Sequence, residues 1–253
     1  MPGHLLLLTA TIRPPPGVPA LRRIDPQQRL LDYGQALDFY SSLIGSTFDS
    51  IVFTENSESD LGSLRRQVEK AGRADRVEFL SFAGLDYPPR YGRGYGEFRI
   101  VEHAVENSRL LSAAGDDAIV WKCTGRYVVR NMASLVKSRP RCDLYCHMRD
   151  YAYRLCELYL LSWTRRGYDH AIKGVYPRLR NDVVPGEHTI EEKLYRRVVD
   201  ERRSRLDVVP RFKEVPLVQG VRGWNNQSYS DLPWQPKVLL RRAANVVAPW
   251  LWI

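Results

Sequence analysis

The chain has 253 residues, of which 44% are hydrophobic and 26% are charged, and its formal net charge is +9. No stretch approaches the roughly 18 consecutive apolar residues that a membrane-spanning helix requires, which argues against an integral membrane protein. The positive charge indicates an anionic partner, and nucleic acid, a phospholipid surface and a nucleotide-sugar diphosphate all satisfy it.

The first 17 residues, MPGHLLLLTATIRPPPG, contain only a short apolar run, with neither a basic segment before it nor a small-residue cleavage site. We therefore expect no signal peptide and a cytoplasmic location. The four cysteines would then be reduced. Cys142, Cys146 and His147 lack a second ligand pair at zinc spacing, which favours core packing over metal binding.

Alternating strands and helices are predicted along the first half of the chain. The apolar run at 4–12 is typical of a central parallel strand, and RPPPGVPA after it predicts a loop. The patterns that follow predict, in order, a helix at 25–43, a strand at 48–55, a helix at 61–72, a strand at 76–82, a loop at 83–96, a helix at 97–111 and a strand at 118–124. This order predicts an α/β fold with a mostly parallel sheet, whose ligand lies beyond the carboxyl ends of the strands.

The pattern beyond residue 140 is less regular. Strands are predicted within 141–148 and 154–163, a helix at 189–205 and an extended piece at 206–212. We expect one domain at 1–236 and a tail at 237–253 that is basic, aromatic and free of acidic residues. The tail is a candidate for contact with a bilayer interface, for a helix packed on the domain or for a dimer contact.

The glycine cluster YGRGYGE, at 91–97, is the first candidate site. Glycines let a ligand approach the backbone, and a helix directly afterwards would offer its N–H groups to an anion. The spacing is not a dinucleotide fingerprint, and a mobile surface loop rich in Tyr and Gly is the alternative. Glu97 is expected in the first turn of that helix, where the dipole favours a carboxylate.

The second candidate site is the segment AIVWKCTGRYVVRN, at 118–131. Its nearby acidic pair, Asp116 and Asp117, precedes the predicted strand, whereas Lys122 and Arg126 lie towards the end where a ligand is expected. Fixed cations there could stabilise a departing phosphate without a metal ion. The alternative is that either cation pairs with a carboxylate on a neighbouring loop.

The third candidate is the start of the helix at 189–205. Thr189 and Glu192 match a capping box, which assigns Glu192 to the helix start. Glu191 and His188 are left as candidates to deprotonate an acceptor hydroxyl. The alternative for Glu191 is a first-turn acid that only complements the helix dipole.

Taken together, the apolar N-terminal strand, the G-Y-G-E segment, W-K-x-T-G-R-Y, the I-E-x-x-x-Y helix start and the basic aromatic C-terminus resemble a group of bacterial glycosyltransferases of surface-polysaccharide (O-antigen, capsule, lipopolysaccharide) assembly. These are GT-A-like enzymes without an Asp-x-Asp motif. The resemblance implies a cytosolic enzyme at the inner membrane face that moves a sugar from an activated donor to a lipid-linked or core oligosaccharide. The residues matching its motifs are Gly94, Tyr95, Gly96, Glu97, Lys122, Thr124, Gly125, Arg126 and Glu191.

These expectations combine into a metal-independent glycosyltransferase that uses no cofactor and a nucleotide-sugar donor. Lys122 and Arg126 would stabilise the leaving phosphate and Glu191 would be the base, which a retaining mechanism would not need. A nucleotide would lie over the loop after the first strand, near Thr9, Thr11 and Arg13. Two alternatives remain: a basic nucleic-acid-binding protein, against which the dispersed basic residues argue, and a non-catalytic domain on the membrane.

Overall fold

The computed structural model describes residues 3–150, 154–181, 189–204, 206–223, 226–228 and 247. The elements of the first half are β1 (His4–Ala10), α1 (Pro26–Ser41), β2 (Ser50–Glu55), α2 (Gly62–Lys70), β3 (Val77–Ser81), α3 (Gly92–Asn107), α4 (Arg109–Ala113) and β4 (Ile119–Thr124). Those of the second half are β5 (Val128–Val129), α5 (Met132–Lys137), β6 (Leu144–Tyr145), β7 (Met148–Arg149), β8 (Leu155–Cys156), β9 (Leu160–Trp163), α6 (Arg165–Gly167), α7 (Ile190–Arg203), β10 (Val208–Val209) and β11 (Val218–Gln219).

A seven-stranded sheet in the order β10-β6-β9-β4-β1-β2-β3 forms the centre of the molecule. Strand β1 pairs in parallel with both β2 and β4, and β2 pairs in parallel with β3. Strand β9 is antiparallel to its neighbours β4 and β6. The expected α/β fold with a mostly parallel sheet flanked by helices is therefore confirmed.

Strand β1 is buried because both of its faces are covered. Leu6 and Leu8 belong to the core on one face, together with Tyr33 of α1, whereas Leu7 belongs to the core on the other face, with Phe98 of α3. Each such leucine contributes on the order of 1.5–3 kcal/mol through removal of its side chain from water. A strand covered on both faces has no position at which a polar side chain would be favoured, which explains the unbroken apolar run.

The order of the strands creates a crevice between β1 and β4. From β1 the chain continues outwards through β2 to β3 on one side, and it then returns to place β4 on the other side of β1. The loops that leave the carboxyl ends of β1 and β4 therefore diverge. In α/β sheets, ligands bind where the strand order reverses in this way.

The glycine segment is helical, so the prediction of a loop up to residue 96 was wrong. Helix α3 begins at Gly92, and its glycines are sites of close packing. A Cβ atom on Gly94 would lie 2.4 Å from Ile190 Cγ2, and one on Gly96 would lie 2.1 Å from Tyr87 Oη. The glycines are therefore needed because neighbouring elements touch the helix backbone.

Two further predictions need correction in the same region. Glu97 lies in the second turn of α3 and not in the first, because the helix starts five residues earlier than Glu97. The predicted helix at 97–111 is divided at Ser108, whose Oγ accepts a hydrogen bond from the Leu111 N–H at 3.0 Å and so caps α4. Strands in the second half are also shorter than predicted, two to four residues each.

Two local predictions agree with the structure. The capping box of α7 is present, with the Thr189 N–H donating to Glu192 Oε2 at 2.9 Å and the Glu192 N–H donating to Thr189 Oγ1 at 3.2 Å. All four cysteines are buried free thiols.

Among the described residues no helix combines the length and the apolar composition needed to cross a membrane. Apart from Val247, the tail at 237–253 and the boundary at 236 lie outside the described residues.

Candidate functional site

A cavity of about 210 Å³ lies beyond the carboxyl ends of β1 and β4, at the crevice where the strand order reverses. Its walls come from the end of β1, the proline-rich loop after it, α1, the first turns of α3, the end of β4 and the start of α7. Eight predicted site residues line it: Thr9, Thr11, Gly94, Gly96, Glu97, Thr124, Arg126 and Glu191. The structure thus brings residues from all three candidate segments to one place.

Four other predicted site residues do not line the cavity: Arg13, Tyr95, Lys122 and Gly125. Arg13 has an exposed side chain, and its N–H donates to Ser57 Oγ at 3.0 Å. Tyr95 packs instead against other tyrosine rings, including Tyr176 at a centroid distance of 5.0 Å. His188 lies outside the described residues.

Lys122 is a buried ion-pair partner. Its side chain is fully buried, and Nζ lies 2.5 Å from Glu97 Oε1 and 2.5 Å from the Leu158 carbonyl oxygen. The alternative, that this cation pairs with a carboxylate, is what the structure contains, although the carboxylate is on a helix and not on a loop. Because its charge is compensated and it is not in the cavity wall, Lys122 is not placed to contact a phosphate there.

Glu97 is held rigidly at the cavity wall through one of its two oxygens. Oε1 accepts hydrogen bonds from Lys122 Nζ, from Thr124 Oγ1 at 2.5 Å and from Thr9 Oγ1 at 3.1 Å. Burial acts to raise the pKa of the Glu97 carboxyl, but the Lys122 charge and these hydrogen bonds outweigh it and hold the pKa below its ordinary value. No described residue donates to Oε2, which leaves that oxygen available to a hydroxyl group of a ligand.

Arg126 is an almost fully buried cation that reaches the cavity. It is 7% exposed, its Nη1 donates to the Val221 carbonyl oxygen at 2.9 Å, and its guanidinium lies 5.3 Å from the centroid of the Tyr127 ring. Its Nε has no hydrogen-bond partner in the described part of the chain. Burial acts to lower the pKa of Arg126, but Tyr33, Tyr127 and Asp32 outweigh it, so the pKa is raised and the charge is retained.

Gly125 has a packing function. Its N–H donates to the Thr9 carbonyl oxygen at 2.9 Å, and a Cβ atom on it would lie 2.9 Å from the same oxygen. The absence of a side chain allows the end of β4 to approach the end of β1 and places Thr124 and Arg126 at the crevice.

The loop after β1 is fixed by residues that sequence reasoning missed. Arg29 of α1 is 5% exposed, and it donates from Nε to the Thr11 carbonyl oxygen at 2.7 Å and from Nη1 to the Arg23 carbonyl oxygen at 2.8 Å. Tyr33 Oη accepts from the Thr11 N–H at 2.8 Å. The i, i+4 spacing of Arg29 and Tyr33 on one helix face was the available signal, but a sequence does not indicate which loop such a pair holds.

Glu55, at the end of β2, fixes the same loop from the other side. It is fully buried and accepts from the Ile12 N–H at 2.9 Å and from the Ser57 N–H at 2.9 Å. Its neighbour Asn56 accepts from Thr11 Oγ1 at 2.6 Å. An acid at the end of a central strand was a signal that could have been noted, since parallel strands end at the ligand side of the sheet.

Glu191 lines the cavity from the first turn of α7. It is partly exposed, and its neighbour Ile190 packs against Gly94 of α3. This packing fixes the start of α7 against the start of α3.

The predicted absence of a metal ion stays a prediction. Asp116 and Asp117 do lie in the turn before β4, at the end of the sheet away from the cavity. Within the part of the chain that the structure describes, no group of three or more His, Cys, Asp or Glu residues could hold a metal ion.

Comparison with known proteins identifies no family. No family model and no curated protein matches the chain. A solved structure from Desulfovibrio desulfuricans, described as a nucleotide-diphospho-sugar transferase, is similar with a TM-score of 0.47 and 13% identity over 83% of this chain and 80% of that one.

Two further solved structures are similar to a comparable extent. A nucleoside-diphosphate-sugar pyrophosphorylase from Vibrio cholerae has a TM-score of 0.44 and 13% identity, over 81% of this chain and 89% of that one. A cytidylyltransferase from Leptospira borgpetersenii has a TM-score of 0.41 and 12% identity, over 83% of this chain and 76% of that one. Similarities this weak identify neither a family nor an activity for this chain.

Proposed function

We propose that the chain is a glycosyltransferase that moves a sugar from a nucleotide-linked donor to a glycan acceptor. The observation that carries the proposal is the cavity at the switch point between β1 and β4, with the buried guanidinium of Arg126 in its wall. Nucleotides bind at such switch points in α/β sheets. A cation fixed in a partly dry site stabilises the negative charge that develops on a departing phosphate.

Arg126 and Glu97 are assigned to the donor. As the bond between the anomeric carbon and the phosphate oxygen breaks, its electron pair passes to that oxygen, and Arg126 stabilises the resulting charge. Glu97 would accept a hydrogen bond from a sugar hydroxyl through Oε2, while Thr9, Thr124 and Lys122 hold Oε1 in place. A carboxylate held in this way keeps its orientation without a loss of entropy when the ligand binds.

Glu191 is assigned as the base of an inverting transfer. In that role it would take the proton of the acceptor hydroxyl while the acceptor oxygen bonds to the anomeric carbon. Its place in the cavity wall and its partial exposure support this assignment. Under a retaining mechanism Glu191 would have no such task.

The acceptor we propose is a lipid-linked or core oligosaccharide of a bacterial surface polysaccharide. The support is the motif resemblance and the tail at 237–253, whose basic and aromatic residues suit the cytoplasmic surface of an anionic inner membrane.

A thermal-shift panel tests the donor, because a ligand that binds only the folded protein raises its melting temperature. The panel contains UDP, GDP, CMP, TDP and their common sugar conjugates, each with and without EDTA. We expect one nucleotide and its conjugate to raise the melting temperature equally in both conditions. A shift that requires Mg²⁺ or Mn²⁺ would contradict the metal-independent mechanism.

Three further measurements separate the alternatives. Release of the nucleoside phosphate from the conjugate in the presence of a glycan acceptor would support glycosyl transfer. Release of pyrophosphate from a nucleoside triphosphate and a sugar phosphate would replace it with nucleotidyl transfer. No nucleotide binding, together with salt-sensitive binding to arbitrary DNA, would favour the nucleic-acid-binding alternative.

A further inference from the structure

Arg93, which was not among the predicted site residues, lines the cavity together with Arg126. It is the second residue of α3, and its side chain is exposed. A Cβ atom on Gly223 would lie 3.1 Å from Arg126 Nη2 and 3.7 Å from Arg93 Nη1. The two guanidinium groups therefore lie near one point beside Gly223, although Arg126 is in the turn after β4 and Arg93 is in α3.

Neither guanidinium forms an ion pair with a carboxylate of the described residues, although the charge of Asp32, which is itself paired with Arg23, contributes to the raised pKa of Arg126. Other cations of the chain do form ion pairs, including Arg23 with Asp32 at 2.8 Å and Lys122 with Glu97 at 2.5 Å. Arg126 instead bonds to a carbonyl oxygen through Nη1, and its Nε has no partner in the described part of the chain. Two like charges held close together repel each other, and an anion between them would remove that repulsion.

The amino end of α3 adds a third positive group at the same wall. Backbone of Gly92 and Gly94 lines the cavity, and the N-cap residue, Tyr91, makes no side-chain hydrogen bond to the first turn. The first N–H groups of a helix have no acceptor within the helix and carry the positive end of its dipole. In α3 the Gly92 N–H is already used, because it donates to the Pro89 carbonyl oxygen of the 3-10 turn before the helix. Together with the buried guanidinium of Arg126, this end of α3 has the chemistry of a phosphate site.

We propose that Arg93, Arg126 and the amino end of α3 bind the diphosphate group of the donor. The inference rests on the proposed function, and it assigns to Arg93 the phosphate contact that was predicted for Lys122. A diphosphate presents two tetrahedral groups, so two guanidinium forks can each bind one of them, which a single lysine could not do. The buried Arg126 holds the inner end of the anion, and the exposed Arg93 closes on it from α3.

Calorimetric titration with inorganic pyrophosphate in EDTA tests this site on the full chain. We expect saturable binding with one pyrophosphate per chain, weakened about tenfold or more by R93A and abolished by R93E. The matched control is R76A, which removes an exposed arginine before β3, at the opposite end of the sheet. The control should change the affinity less than twofold. Equal effects of R93A and R76A, or no binding by the unmodified chain, would overturn the inference.

A second variant, R126K, tests whether the buried Arg126 binds the anion. R126K retains a charge but loses the fork, so we expect weaker pyrophosphate binding together with a retained cooperative melting transition. Unchanged affinity in a folded R126K protein would remove Arg126 from the site.

The outcomes separate this inference from the proposed function. Pyrophosphate binding that depends on Arg93, without any response to nucleotide sugars, would keep the anion site and reject the glycosyltransferase. Turnover of a nucleotide sugar with an R93A variant whose KM equals that of R76A would keep the glycosyltransferase and reject Arg93 as a diphosphate ligand.

Discussion

Lys122 Nζ lies 2.5 Å from Glu97 Oε1, at the interface between the central sheet and α3. The lysine is fully buried, whereas the carboxylate reaches the wall of the cavity. This pair stabilises the packing of α3 on the sheet, and it also fixes the position of a carboxylate in the candidate site. The same carboxylate accepts hydrogen bonds from Thr9 and Thr124 at the ends of β1 and β4.

Replacing Lys122 by Met should destabilise the protein by about 3–5 kcal/mol, because the variant leaves a largely buried carboxylate without its counter-charge. Urea unfolding followed by circular dichroism measures this loss. The double variant K122M/E97Q is the control, and it should recover part of the loss since neither charge remains. A single variant as stable as the unmodified protein would show that the ion pair contributes little.

The stability of the protein should depend on pH through Glu97. Its carboxyl pKa lies below the ordinary value of 4.5, so the folded state favours the ionised form. The resulting stabilisation is present above the unfolded-state pKa and is lost as the pH falls through the lower folded-state pKa. Urea unfolding between pH 7 and pH 3 should therefore show a steeper loss below about 4.5 for the unmodified protein than for E97Q. Parallel curves would contradict this contribution.

Replacing Gly96 by Ala should destabilise the fold, because the new Cβ atom would lie 2.1 Å from Tyr87 Oη. Removing that hydroxyl with Y87F leaves ring atom Cζ as the nearest neighbour in Tyr87, at 3.2 Å. We therefore expect G96A to cost about 1–3 kcal/mol and Y87F to recover much of that cost in the double variant. Thermal melting of the four proteins completes the cycle. Additive effects would show that Tyr87 is not what excludes a side chain at Gly96.

Replacing Glu191 by Gln should reduce kcat by about a hundredfold or more and change the melting temperature little, because the base of the transfer would be lost and the helix cap retained. The adjacent variant E192Q is the matched control. It alters the capping box and should affect stability by up to about 1 kcal/mol without a comparable effect on kcat. Similar kcat values for both variants would remove Glu191 from the mechanism or indicate a retaining transfer.

Deleting residues 237–253 should weaken binding to liposomes that contain anionic lipid, because the deletion removes three basic residues, Lys237, Arg241 and Arg242, and two tryptophans, Trp250 and Trp252. Co-sedimentation at low and physiological salt measures the effect, with neutral liposomes as the comparison. If the truncated and full chains bind anionic liposomes equally, the tail is not a membrane contact.

The order of the elements through β4 followed from local patterns. The unbroken apolar run of β1 and the alternation of strands with helices result from burial of one or both faces of each element. Burial of a face leaves a periodic pattern of apolar residues that can be read within a short stretch of sequence. The capping box of α7 was found for the same reason, since all of its contacts lie within four residues of sequence. The short strands after residue 140 were less well predicted because a pair of two-residue segments contains no periodic signal.

The glycine segment and Lys122 show where local patterns fail. Glycine lowers the helix propensity of a segment, so the sequence favoured a loop at 92–96, and only the close contacts with Ile190 and Tyr87 make a helix with glycines the better solution. For Lys122 the sequence placed a cation near the end of β4, but the partner that neutralises it is 25 residues away on α3.

The sequence by itself thus determined the α/β fold class, the end of the sheet at which a ligand is expected, and eight residues of the cavity wall. It could do so because periodic burial and strand ends are local properties of the chain. Only the tertiary structure decided which cations remain available to an anion. Pairing depends on distances between side chains of different elements, and those distances place Lys122 against Glu97 and direct Arg93 and Arg126 towards one point.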